Sequence, residues 1–86
     1  MRIDKFLKLS RVLKKRSVAK KLADYEKVTI NGKLAKPSSL VKVGDVVTVT
    51  FGEKELTFKI KLILTHPRKD EVDQLIEIMD ASLSLE

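Results

Sequence analysis

Nine cationic side chains fall within the first 21 residues: Arg2, Lys5, Lys8, Arg11, Lys14, Lys15, Arg16, Lys20 and Lys21. From Lys5 to Ala23 no acidic residue interrupts them, and Asp4 and Asp24 flank the stretch. A solvated helix face normally mixes charge signs, whereas this one crowds like charges together. The chemistry that suits such a set is binding of a polyanion, which relieves the repulsion. Ser17 sits where a helix is expected to start, and the backbone N–H groups of a helix start are suited to phosphate. Contacts of this kind supply affinity and salt dependence but little reading of sequence.

The rest of the chain sharpens the contrast. Residues 1–43 hold thirteen Lys and Arg against three Asp and Glu, a net +10; residues 44–86 hold five against nine, a net −4. Nucleic acid is the commonest soluble polyanion. An anionic membrane surface is the competing partner, but Phe6 and Leu7 are needed for the core of a chain this small. No run approaches the ~20 apolar residues of a membrane span, and no signal peptide is recognisable.

Residues for catalysis are scarce. His66 is the single histidine, next to Pro67 in a breaker segment, and reads as an ordinary surface residue. The chain has no cysteine, which excludes disulfides and thiolate metal sites. Asp70, Asp73, Glu77 and Asp80 would share one side of a last helix as a solvated stripe, with a protein contact or pairing with the basic half as the alternatives. Gly32, Gly44 and Gly52 each fall in a turn, so no phosphate-binding glycine loop is available. No catalytic residue, metal, cofactor or small-molecule substrate is expected. Of the four aromatic residues, Phe6 and Phe58 lie on apolar faces. That leaves no series of exposed rings for stacking single-stranded bases, and structured RNA read by shape and backbone fits better.

The elements that must position the basic residues are legible. Ile3, Phe6, Leu7, Ser10 and Leu13 fall on one side of a helix over residues 3–13, and Asp4 suits its positive end. A second helix, "SVAKKLADY", is expected from an N-cap at Ser17, with Val18, Leu22 and Tyr25 spaced on one face. A short basic connection centred on Lys14–Arg16 joins the two. Asn31-Gly32 predicts a type I′ hairpin between strands at 28–30 and 33–35, and Pro37-Ser38-Ser39 ends it. A turn at Gly44-Asp45 precedes a strand bearing Val47, Val49 and Phe51 on one face. "GEK" at 52–54 loops to a strand carrying Leu56, Phe58, Ile60, Leu62 and Leu64, with Thr57, Lys59 and Lys61 on the wet face. Val72, Leu75, Ile76 and Met79 recur at helical spacing, predicting a C-terminal helix followed by a frayed tail. Helices followed by strands in so short a chain imply an α+β fold.

Together, "RIDKFL", "SRVLKKRSVAKKL", "VTING" and "KPSSLVKVGDVV" resemble the small RNA-binding domain first described in the ribosomal small-subunit protein S-four. The resemblance covers residues 1 to about 51 and, more loosely, the strands to about 64. It implies an alpha-L RNA-binding motif, with two N-terminal helices packed on a small, mainly antiparallel sheet and RNA bound on the helices and the adjoining loop. Residues 1–64 would form this domain and residues 65–86 a C-terminal helix and tail. Free-standing versions of this length are similar to the RqcP type of bacterial ribosome-quality-control factor and to the ribosome-associated heat-shock protein of fifteen kilodaltons. The resemblance therefore implies a cytoplasmic, monomeric, non-enzymatic factor bound to rRNA and tRNA on the large ribosomal subunit, with the RqcH tailing factor as a partner. A role in ribosome assembly or rRNA maturation needs the same basic surface, and an adaptor acting through the acidic last helix is a third reading. Arg2, Arg11, Lys15, Arg16 and Lys20 would contact phosphates, while Asp4 would orient a basic neighbour. The family often has glycine at the end of the second helix, where this chain has Glu26.

Overall fold

Ile3, Phe6 and Leu7 form a buried stripe on helix α1, Ile3–Leu9, in the computed structural model of the chain, which describes residues 1–81. The helix stops short of the expected Leu13. Ser10 caps it, and Arg11 takes a left-handed conformation with φ of 62°. That reversal lets Arg11 N–H donate to the Lys8 carbonyl and Leu13 N–H to the Leu7 carbonyl, each at 3.1 Å. Val12 and Leu13 pack against the core from the connection instead of from the helix.

Helix α2 spans Arg16–Asp24. The expected cap at Ser17 does not form. Lys15 takes the cap position in an extended conformation without a side-chain cap hydrogen bond, and Ser17 is the second helical residue. A side-chain cap contributes about 1 kcal/mol, so tertiary packing outweighs it, and the face packed inward is that of Ala19 and Ala23, both buried. At the other end, Glu26 N–H donates to the Ala23 carbonyl (3.1 Å) and Lys27 N–H to the Leu22 carbonyl (2.8 Å). That is the Schellman pattern, which places its reversing residue in the left-handed region. Glu26 occupies that position with φ of 62°, where a side chain costs roughly 1 kcal/mol relative to glycine.

Among the described residues five strands follow: β1 Val28–Ile30, β2 Lys33–Leu34, β3 Val46–Phe51, β4 Lys54–Ile60 and β5 Ile76–Ala81. They form one sheet in the order β2-β1-β3-β4-β5, antiparallel at every pairing. Ile30 pairs with Lys33, so Asn31 and Gly32 make a two-residue loop, with φ of 53° and 83°. Both values suit the expected type I′ turn. Asn31 has a second task. Its carboxamide donates to Asp45 Oδ1 (3.0 Å) and accepts from Val46 N–H (2.9 Å), tying the first hairpin to the Gly44-Asp45 turn.

Alternation behaves as expected through Ile60. Val47, Val49, Leu56, Phe58 and Ile60 are buried on the face covered by the helices, where the Phe6 and Phe58 rings stack with centroids 6.3 Å apart. Thr29, Thr48 and Thr57 align across three strands on the other face. The expected continuation of β4 to Leu64 does not occur, because Lys61 and Leu62 N–H groups both turn to the Leu75 carbonyl (2.8 and 3.2 Å).

The C-terminal helix is a misreading. Residues Val72–Gln74 make one 3₁₀ turn, and Ile76–Ala81 form a strand paired with β4. The helical spacing of Val72, Leu75, Ile76 and Met79 arose because a short apolar stretch satisfies both periods. Val72 and Leu75 are buried, but Met79 is exposed, which a helix packed on that stripe would not allow. The deciding factor is non-local: β4 would otherwise present an unpaired edge. The acidic stripe dissolves with the helix. Glu77 lies opposite Lys59 and Asp80 opposite Thr57, while Asp70 contacts Arg68 at 4.0 Å. The α+β class with two N-terminal helices on an antiparallel sheet holds. The tail from residue 82 lies outside the described residues. No helix among those residues is long and apolar enough to cross a membrane.

Candidate nucleic-acid interface

Asp4 is almost fully buried, with 3% of its side chain exposed. Burying a carboxylate is costly unless charged donors meet it. Here two do. Arg2 Nη2 donates to Oδ2 at 3.0 Å and Arg16 Nη2 to Oδ1 at 3.4 Å. Arg2 reaches it from the residue before α1 and Arg16 from the first turn of α2, so the carboxylate ties the two helix starts together. The guanidinium-bearing side chains remain 45% and 47% exposed. Each therefore keeps N–H donors for an external acceptor while Asp4 restrains its position. The backbone at Arg2 is itself fixed: Ile3 N–H donates to the Ser39 carbonyl (2.7 Å) and Val41 N–H to the Met1 carbonyl (2.9 Å).

Arg2, Asp4, Arg16, Ser17 and Lys20 line a depression of about 310 Å³. Arg16 and Lys20, one helical turn apart, share a face of α2. Lys8 and Arg11 border a different depression of about 260 Å³, completed by Leu9, Thr65, His66, Pro67 and Val72. Lys5 is half-buried, and Lys14, Lys15 and Lys21 are exposed outside both. The ten residues singled out from sequence thus lie on α1 and its preceding residue, on α2 and on their connection, but only six of them line the two depressions. Among the described residues, ion pairing by these ten is confined to the two Asp4 contacts.

Sequence reading placed Asp4 beside one basic residue and did not place Lys36 or His66 near the basic set. Asp4 holds two arginines where one basic neighbour was expected; its being the lone acid among the basic residues was the available signal. Lys36 lines a third depression together with Arg2 and Lys20, a placement that depends on how the hairpin folds back. His66 joins Lys8 and Arg11 only because the segment after β4 returns to the end of α1.

Residues 1–47 match the model of the S4 domain, a span of more than half the chain. The chain belongs to the S4 domain family. Relatives of this S4 protein include the RQC P-site tRNA stabilizing factors of Bacillus subtilis, 44% identical over 79 residues (92% of each chain), and of Streptococcus pneumoniae, 42% identical over 79 residues (92% of this chain and 90% of that one). Heat shock protein 15 of Escherichia coli is 34% identical over 68 residues, covering 79% of this chain and 51% of that protein. Among solved structures, the trimeric heat shock protein 15 of Vibrio cholerae superposes with a TM-score of 0.83 at 36% identity, covering 92% of this chain and 81% of that one. The S4 match takes in α1, α2, the first hairpin and the start of β3, and so includes both helices that carry the Asp4 site.

Proposed function

We propose that this chain is a non-enzymatic RNA-binding factor that holds rRNA and tRNA on the bacterial large ribosomal subunit during quality control of stalled peptidyl-tRNA complexes. The observation that carries the proposal is the Asp4 clamp. One buried carboxylate organises two half-exposed arginines inside a surface otherwise free of acids from Lys5 to Ala23. The S4 match, and relatives named for stabilising P-site tRNA, support ribosomal RNA and tRNA as the polyanion.

In this reading Arg2, Lys5, Lys8, Arg11, Lys14, Lys15, Arg16, Ser17, Lys20 and Lys21 meet the RNA. The cationic side chains displace counter-ions condensed on the RNA phosphates, and the clamp spares Arg2 and Arg16 part of the ordering cost on binding. The chain acts as a cytoplasmic monomer. It positions tRNA without transforming it, and supports alanine tailing alongside the RqcH factor.

The test is binding of the Arg11→Ala/Arg16→Ala variant to purified large subunits across a salt titration. The variant is expected to bind more weakly, with a log–log salt slope shallower by about 0.9 for each lost duplex-like phosphate contact. Wild-type affinity and slope in the variant would refute this surface.

A further inference from the structure

A groove of about 620 Å³ opens beside the Asp4 site and shares Arg2 and Lys20 with it. It lies between the second half of α2 and the segment from β2 to Ser38. Buried Ala23 and Ala35 are part of its lining, together with Leu34, 60% exposed, and Pro37. Lys36 adds a third cation to those of Arg2 and Lys20, and Asp24 and Glu26 supply two carboxylates.

Those two acids stand where local physics disfavours them. The last turn of a helix attracts cations and repels anions. Glu26 also holds a left-handed backbone in a position that glycine fills with less strain. Among the described residues, neither acid makes an ion pair within 4.0 Å or a side-chain hydrogen bond. Both side chains are exposed, so their carboxylates are solvated and open to the donors of a ligand in the groove.

We propose that this groove receives an unpaired nucleotide of the bound RNA and favours guanine. The phosphate lies at Arg2, Lys20 and Lys36, continuous with the phosphate surface at Asp4. The base leaves water against Leu34 and Pro37, over a floor of buried Ala23 and Ala35. A carboxylate only accepts hydrogen bonds, so Asp24 and Glu26 select a base edge rich in donors. Guanine presents N1–H and the N2 amino group side by side. Adenine and cytosine offer an amino group beside a ring acceptor, and uracil sets one N–H between two carbonyls, which face a carboxylate unfavourably. The volume falls within the ~300–1,000 Å³ of small-ligand sites. The proposal rests on the RNA-binding reading above, and its test separates the two.

The test is titration of the ¹⁵N-labelled chain with guanosine, inosine and uridine 5′-monophosphates, followed by amide shifts, beside anisotropy with a fully paired RNA hairpin. Guanosine monophosphate is expected to shift Ala23, Glu26, Leu34, Ala35 and Lys36. It should bind about fivefold or more tightly than the inosine nucleotide, which lacks the N2 amine. The Asp24→Asn/Glu26→Gln variant should lose that preference. Glu26→Gly should raise the urea midpoint and also weaken the preference, whereas strain without function predicts the first effect alone. Equal binding of all three nucleotides, or shifts confined to Arg2 and Lys20, would overturn the guanine site and leave the phosphate surface standing. Failure of the hairpin to bind, with the guanine preference intact, would overturn the RNA reading and leave the groove.

Discussion

Asp4 makes a prediction that runs against net charge. Asp4→Asn raises the formal charge of the basic half, yet removes the ionic partner of Arg2 and Arg16. The variant is expected to lose about 1–3 kcal/mol of stability in urea denaturation, because a buried group loses charged hydrogen bonds. Affinity for large subunits should fall several-fold despite the added charge. Tighter binding would show that bulk electrostatics outweighs arginine placement. A second carboxylate carries a pH prediction. Arg68 N–H donates to Glu71 Oε1 at 2.9 Å, and the Arg68 guanidinium lies 3.5 Å away. The backbone hydrogen bond first, then the Arg68 charge, holds the Glu71 carboxyl below its ordinary value. A depressed folded value means that its contribution is complete above the unfolded value and is lost as pH falls through the folded one. A side-chain NMR titration should place the Glu71 midpoint below that of a reference glutamate, and Arg68→Pro, which removes both the N–H and the guanidinium, should raise it. The basic residues and Asp4 were legible one by one in the sequence. The double contact was not, since Arg2 and Arg16 are far apart along the chain and meet only when α1 packs on α2.

Elements with strong local signals came out as read, and the misreadings lie where local signals do not decide. Asn31-Gly32 prescribes its own turn because both residues accept positive φ. The alternation from Val47 to Ile60 prescribes its own faces. The end of α1 turns on a left-handed residue, Arg11, that carries no glycine signal, and the start of α2 and the identity of β5 depend on partners distant in sequence. The strand assignment for β5 yields a discriminating pair of substitutions. Leu75→Ala should cost about 2–5 kcal/mol, as a fully buried residue does. Met79→Ala should stay within about 0.5 kcal/mol, because Met79 is exposed. A helix with the stripe Val72, Leu75, Ile76 and Met79 would make both costly. Equilibrium urea denaturation of the two variants decides between strand and helix.

At the scale of the molecule, the basic first half supplies both helices and the first hairpin, while the mildly acidic second half supplies all of β3, β4 and β5. Binding and folding should therefore respond differently to salt. With roughly 6–10 phosphate contacts, affinity for large subunits is expected to fall about 10³–10⁵-fold between 50 and 200 mM salt. The thermal midpoint of the free chain should move little over that range, because its core is apolar and its most buried charge, Asp4, is shielded from solvent ions. A midpoint that shifts with the binding curve would place the salt effect on the fold itself. The sequence by itself determined the charge asymmetry, the two-helix start, the hairpin turn and the S-four resemblance, all of which depend on residue type and short-range spacing. Only the tertiary structure decided that Asp4 clamps two arginines, that Lys36 joins Arg2 and Lys20 at one groove, and that the last apolar stretch is a strand. Each of those depends on free energy gained between segments far apart in the chain, where a buried carboxylate finds its donors and an open sheet edge finds its partner.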